Sequence, residues 1–168
     1  GVEHIVHNLD PSKQVRRVAQ GGRSYLVAPM VLIVPGVLNG SKGSLYYPIS
    51  EISENPMSWN GMPLLVNHPH DDLGNPISGR DPDVIDKQGV GYVFKSKIHN
   101  ERLRAEAWFD VELLRKVDHQ LLKSIENGTA VECSTGLFTE NDVAPKGANF
   151  NWRAYTHIAR KYRPDHLA

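Results

Sequence analysis

Apolar and polar positions alternate along two neighbouring stretches, Gly89 to Ile98 and Leu103 to Phe109, with His99-Asn100-Glu101 between them. This period of two predicts a hairpin with one wet face. Directly after it, Val111, Leu114, Val117, Leu121 and Ile125 recur at steps of three and four, which predicts an amphipathic helix. Asp110 suits its N-cap and Gly128 its C-terminal stop. Ser24 to Val34 is rich in strand formers, with Pro29 marking a bulge or break. Pro63-Leu64-Leu65-Val66 reads as a compact buried strand, Ala130 to Phe138 as another, and Tyr155 to Lys161 as the final one. Ile49 to Glu54 reads as a short helix ended by Pro56, and residues 139–151 as a flexible loop. Residues 1–23 form a polar N-terminal arm or short edge strand, leaving 24–168 as one domain. The sum is a β-rich α+β domain of roughly five to seven short strands and one strong helix, barrel-like in form.

Composition narrows the field without choosing a function. The 168 residues suffice for one domain with a real core. Lysine plus arginine equals aspartate plus glutamate at 19 each, so charge points to neither a nucleic-acid nor a membrane surface. The longest apolar run, near Met30 to Val34, is cut by Pro35-Gly36, well short of the roughly 20 residues of a membrane span. A single cysteine, Cys133, excludes an internal disulfide framework and fits a reducing compartment.

Candidate chemistry gathers around three places. Glu132-Cys133-Ser134-Thr135-Gly136 sets a hydroxyl on a strand entered from the helix that stops at Asn127-Gly128. A nucleophilic serine needs a base within hydrogen-bond reach and backbone donors for the oxyanion, and Gly136 leaves the backbone open to close approach. His68 follows the buried strand and is stiffened by Pro69, as a base must be. Asp165-His166 supplies a third group. The same residues admit a rival, since His68, His70 and Asp72 at alternate positions resemble the zinc cluster of metallo-β-lactamase-like hydrolases, with Leu73 where that family has histidine. Cys133 is a further candidate nucleophile. It faces away from Ser134 on a regular strand and is assigned to the core.

The order Pro63-Leu64-Leu65-Val66-Asn67-His68, a Gly-rich loop, two strands, a helix and then Ser134-Thr135-Gly136 resembles the prohead maturation proteases of tailed phages. Ser58-Trp59-Asn60-Gly61-Met62-Pro63 and the closing Asp165-His166-Leu167-Ala168 look like an uncharacterised phage and prophage branch of that family. These proteases resemble the herpesvirus assemblins, so the resemblance implies a closed β-barrel flanked by a few helices. It also implies a serine endopeptidase with Ser134 as nucleophile, His68 as general base and His166 as third member, Asp165 being the alternative. No cofactor is implied. The implied substrates are phage scaffold and major capsid proteins and the protease itself, inside the procapsid in the host bacterial cytoplasm. Assemblins work as dimers, so a homodimer or higher oligomer is admitted, although no exposed apolar stripe commits the chain to one. Backbone N–H groups in a Gly-rich loop are the default oxyanion donors, with Arg160 and Arg163 as secondary candidates. A structural phage protein without catalysis, and the zinc hydrolase, are the alternatives.

Overall fold

A computed structural model describes residues 2–9 and 15–168. Alternating segments become strands there, and the polar stretches between them become turns and short helices. In chain order the elements begin with β1 (Val2–Leu9), β2 (Arg16–Gln20), β3 (Arg23–Ile33), β4 (Gly36–Gly40), β5 (Gly43–Tyr47) and α1 (Ile49–Ile52). A 3-10 turn at Pro56–Trp59 leads to β6 (Pro63–Leu65), α2 (Pro82–Gln88), β7 (Gly89–His99) and β8 (Arg102–Asp110). Then come α3 (Val111–Val117), α4 (His119–Glu126), β9 (Val131–Val143), β10 (Asn149–Phe150), β11 (Arg153–Ala154) and β12 (His157–Leu167).

The hairpin forms as expected: β7 pairs antiparallel with β8, and Asn100 and Glu101 turn the chain at φ of 50° and 57°. Pro29 sits inside β3 opposite Glu106 of β8, beyond the point where β2 has stopped pairing at Val27. Pro29 is exposed there, close to the outermost strand of the sheet, where proline is tolerated.

The single helix resolves into two. Asp118, at φ −153° and ψ 88°, ends α3 and caps α4 by accepting the Leu121 N–H at 3.0 Å. Aspartate competes with the backbone in a helix interior and favours a cap, so the break follows from its chemistry. The apolar stripe survives in part: Val111, Leu114 and Ile125 are buried, Val117 and Leu121 are only partly buried against the core, and Leu122 is buried instead. Gly128, at φ 74°, closes α4 with the paired bonds Thr129 N–H to Ser124 O (2.9 Å) and Gly128 N–H to Ile125 O (3.2 Å).

The expected closed β-barrel does not form. The strands join in the order β1-β9-β12-β6-β7-β8-β3-β2, an open mixed sheet with β4 and β5 branching from β12. Among the described residues its two ends do not pair. At one end β2 is a short, mostly exposed ribbon whose Arg16 and Arg17 bridge to Glu106 and Glu126. A charged edge strand blocks further pairing, whereas closure needs a free seam of matched tilt and stagger. The chain is thus β-rich with few helices, but its sheet stays open. The stretch read as an arm contributes β1 and β2.

Two further differences matter for the site. β9 runs on to Val143, taking up part of the segment read as a loop, and β12 runs past Lys161 to Leu167. β12 lies antiparallel to β9 and parallel to both β5 and β6, so it draws Asp165 and His166 into the middle of the sheet.

Candidate active site

Ser134 lies on β9 between two partners. It stands opposite Val6 of β1, and it exchanges both backbone hydrogen bonds with Ala168, at 2.8 and 2.9 Å. Its side chain is buried, and Oγ has no hydrogen-bond partner among the described residues. Such a buried, unpaired hydroxyl is costly and calls for a reason. Thr135 beside it is used structurally, donating its hydroxyl to the Leu32 carbonyl at 3.3 Å. Cys133 is buried with the apolar core, as read from its type.

His68 follows β6 through Asn67, whose φ of 68° turns the chain sharply. Asparagine tolerates that left-handed conformation better than most residues. The Gln88 side chain at the end of α2 holds this corner by donating to the carbonyls of Val66 (2.8 Å) and Asn67 (3.2 Å). His68 and Ser134 line one cavity of about 330 Å³ whose other walls include Leu65, Val90, Phe109 and Leu121.

A chain of hydrogen bonds runs back from His68. Its Nδ1 lies 2.7 Å from His166 Nε2, and His166 Nδ1 lies 2.7 Å from Asp165 Oδ2. Asp165 also accepts the Ser78 hydroxyl at 2.7 Å and the Gly79 N–H at 2.6 Å. Neighbours on a regular strand point to opposite faces. A register shift between Pro164 and His166 relieves that rule, and both side chains are buried. The order of contacts fits one set of tautomers. With Asp165 accepting from His166 Nδ1, His166 Nε2 can accept from His68 Nδ1, and the lone pair of His68 rests on Nε2.

The imidazole of His166 occupies a slot made by two glycines. A Cβ on Gly136 would lie 2.5 Å from its Cε1, and one on Gly79 would lie 2.6 Å from its Cβ. Gly136 was read as leaving room for a substrate, but that room is filled by His166. His4 of β1 stacks on His68 with ring centroids 4.0 Å apart. Its strand is pinned by the neighbouring buried Glu3, which accepts from the Ser41 hydroxyl at 2.6 Å and from Asn141 Nδ2 at 3.3 Å.

Electrostatics favour a neutral His68. Burial, then the neighbouring His4, His166 and His70, lower its pKa to about 4. Burial and His166 lower His4 as well. Burial pushes Asp165 up, but hydrogen bonds from His166, Ser78 and Gly79 outweigh it and hold the carboxyl below its usual range.

The remaining candidates separate from this group. Among the described residues, the metal-capable side chains gathered within 4.8 Å of one another are His4, His68 and His166, and neither His70 nor Asp72 belongs to that group. Asp71 instead organises its own exposed loop, accepting the N–H groups of Leu73 and Asn75 at 2.9 and 2.8 Å. Arg160 is held by Glu51 and Asp142, at 3.1 and 2.8 Å, and Arg163 lies over the Phe138 ring. Sequence reasoning missed His4, Ser78, Gly79 and Gln88. A histidine on an N-terminal strand and a serine in a polar loop carry no local pattern. Asp81-Pro82 does carry one, as N-cap and first position of the helix that delivers Gln88: Asp81 accepts the Asp83 N–H at 2.9 Å.

No protein-family model matches the chain, and no curated protein matches it in sequence. Among solved structures it is similar to the capsid assembly protease of bacteriophage T4, with a TM-score of 0.63 and 11% identity, over 98% of this chain and 94% of that one. The likeness extends across nearly the whole of both chains and establishes that the two share a fold.

Proposed function

We propose that the protein is a serine endopeptidase of the prohead maturation type, cleaving scaffold and major capsid proteins, and itself, inside the phage procapsid in the host cytoplasm. One observation carries the reading: a hydrogen-bond chain from buried Asp165 and His166 to half-buried His68 ends at a cavity shared with the unpaired hydroxyl of Ser134. The fold shared with a capsid assembly protease supports it. In this scheme Ser134 Oγ attacks the peptide carbonyl as its proton passes to His68 Nε2. The tetrahedral intermediate collapses as His68 returns that proton to the leaving amine. Water, deprotonated by the same nitrogen, then hydrolyses the acyl-enzyme.

His166 and Asp165 act in series rather than as alternatives. His166 fixes the tautomer of His68, and Asp165 supplies the charge that a second imidazole lacks. A base whose pKa is lowered to about 4 stays unprotonated at neutral pH but takes up a proton weakly, which suits slow turnover. The test is co-expression with the scaffold protein, comparing wild type with Ser134→Ala. Cleavage should vanish in the variant, and cleavage at the wild-type rate would sink the assignment.

A further inference from the structure

We propose that His4, His68 and His166 form a binding site for zinc or a similar imidazole-preferring divalent cation, and that occupancy switches off the chemistry of the site. One nitrogen from each ring lies within 4.8 Å of the others. Three histidines leaving a fourth position open are a common zinc arrangement.

The second shell favours the same conclusion. A zinc-bound histidine almost always gives its other N–H to a carboxylate or carbonyl, which fixes the ring. His166 has that arrangement already: Nδ1 faces Asp165 at 2.7 Å, leaving Nε2 for a metal, and Asp165 is itself held by Ser78 and Gly79. Gly79 and Gly136 confine the ring from two sides. His4 is exposed on β1 and stacked on His68, so the site opens to solvent on the His4 side.

Geometry also makes metal binding and the relay exclusive. Zn–N bonds of about 2.0–2.1 Å at tetrahedral angles set nitrogens about 3.3 Å apart. The 2.7 Å contact between His68 Nδ1 and His166 Nε2 would have to open by about 0.6 Å, and their shared proton would have to leave. The widest separation would have to close by no more than about 1.5 Å, within the reach of the exposed His4 side chain. A cation in the site takes the lone pair of His166 from His68, and the base loses its orienting partner.

This inference concerns the same residues as the proposed protease, so its test is a binding measurement on Ser134→Ala protein, which needs no proteolysis. Zn²⁺ is titrated by calorimetry, and Co²⁺ is followed by visible absorption to report coordination number. One ion per chain with an intense four-coordinate Co²⁺ spectrum is expected. His4→Gln should weaken Zn²⁺ binding by at least the roughly tenfold that losing a second-shell partner costs. His70→Gln should leave it unchanged, and thermal melts of the metal-free variants confirm that each is folded. In Ser134-containing protein, Zn²⁺ should inhibit cleavage reversibly by chelator, with the half-inhibiting concentration raised at least tenfold by His4→Gln. No Zn²⁺ binding, equal affinity in His4→Gln, loss of binding in His70→Gln, or stimulation of cleavage by Zn²⁺ would each overturn the proposal. Zn²⁺ binding that survives alongside unimpaired cleavage by Ser134→Ala protein would instead remove the protease reading and leave the metal site standing.

Discussion

Substituting alanine for Gly136 should damage the site through one ring. The new Cβ would lie 2.5, 2.8 and 2.9 Å from three atoms of the His166 imidazole, where ordinary contact begins at 3.4 Å. The ring must therefore move by about 0.9 Å. Gly79 packs against the base of the same side chain, where a Cβ would lie only 2.6 Å from His166 Cβ. A displacement of that size away from His68 would stretch the 2.7 Å bond beyond the usual limit of about 3.2 Å. Overpacking of this kind costs about 1–3 kcal/mol, and the lost hydrogen bond adds about 0.5–1.5 kcal/mol. Urea denaturation at neutral pH should therefore show Gly136→Ala destabilised by about 1.5–4.5 kcal/mol. The mechanism is tested by a double-mutant cycle with His166→Ala, in which the offending ring is gone and the alanine should cost little. An equal penalty in both backgrounds, or no penalty at all, refutes the steric account.

Ser134→Ala should leave stability unchanged or raise it by up to ~1 kcal/mol, because it removes a buried hydroxyl without a partner; a clear loss in urea denaturation would show that Oγ is bonded after all. The lowered pKa of His68 sets a pH window. The unfolded chain binds the proton near 6.5 and the folded one only near 4, so stability is full above about 6.5 and falls as pH drops toward 4. His68→Gln should flatten that part of the stability–pH curve, and an unchanged slope would count against a buried neutral imidazole. Under the proposed function, the acid limb of kcat/KM should lie near pH 4 to 5 rather than 6.5. Gln88→Ala, which frees the Val66–Asn67 corner, should cost about 1 kcal/mol in stability. It should also slow cleavage by up to roughly tenfold, measured with a scaffold-derived peptide.

The local elements were legible in the sequence because their causes are local. The β7–β8 hairpin, the Asp110 cap and the Gly128 stop each follow from a few adjacent residues. The closed barrel was not, because closure depends on whether two distant edges meet, and no residue of β1 or β2 encodes that alone. His68 and His166 were identified from motif order, yet their contact spans 98 positions and needed β12 to extend beyond Lys161. The family resemblance offered Asp165 only as the alternative to His166, and on a regular strand the two neighbours would point to opposite faces. The irregular register before His166 let both serve in one line. Gly136 carried a clear signal with the wrong reason attached: the space it leaves is for a neighbouring ring.

The register of β1, β9 and β12 has a consequence for how function is lost. His4, Ser134 and His166 sit on three adjacent strands, and the β1–β9 pairing that brings His4 into line joins residues 122 to 136 positions apart, from Leu9↔Val131 to Val2↔Phe138. Contacts of such long sequence separation form late and slowly. They also sit where local opening is easiest if an outer strand frays, since β1 has β9 as its sheet neighbour on one side only. Mild heat or denaturant should thus scatter the histidines while the core around Trp59, Leu103 and Leu114 is still intact. Under the proposed function, loss of cleavage would precede melting, and the molecule would fall silent while still folded.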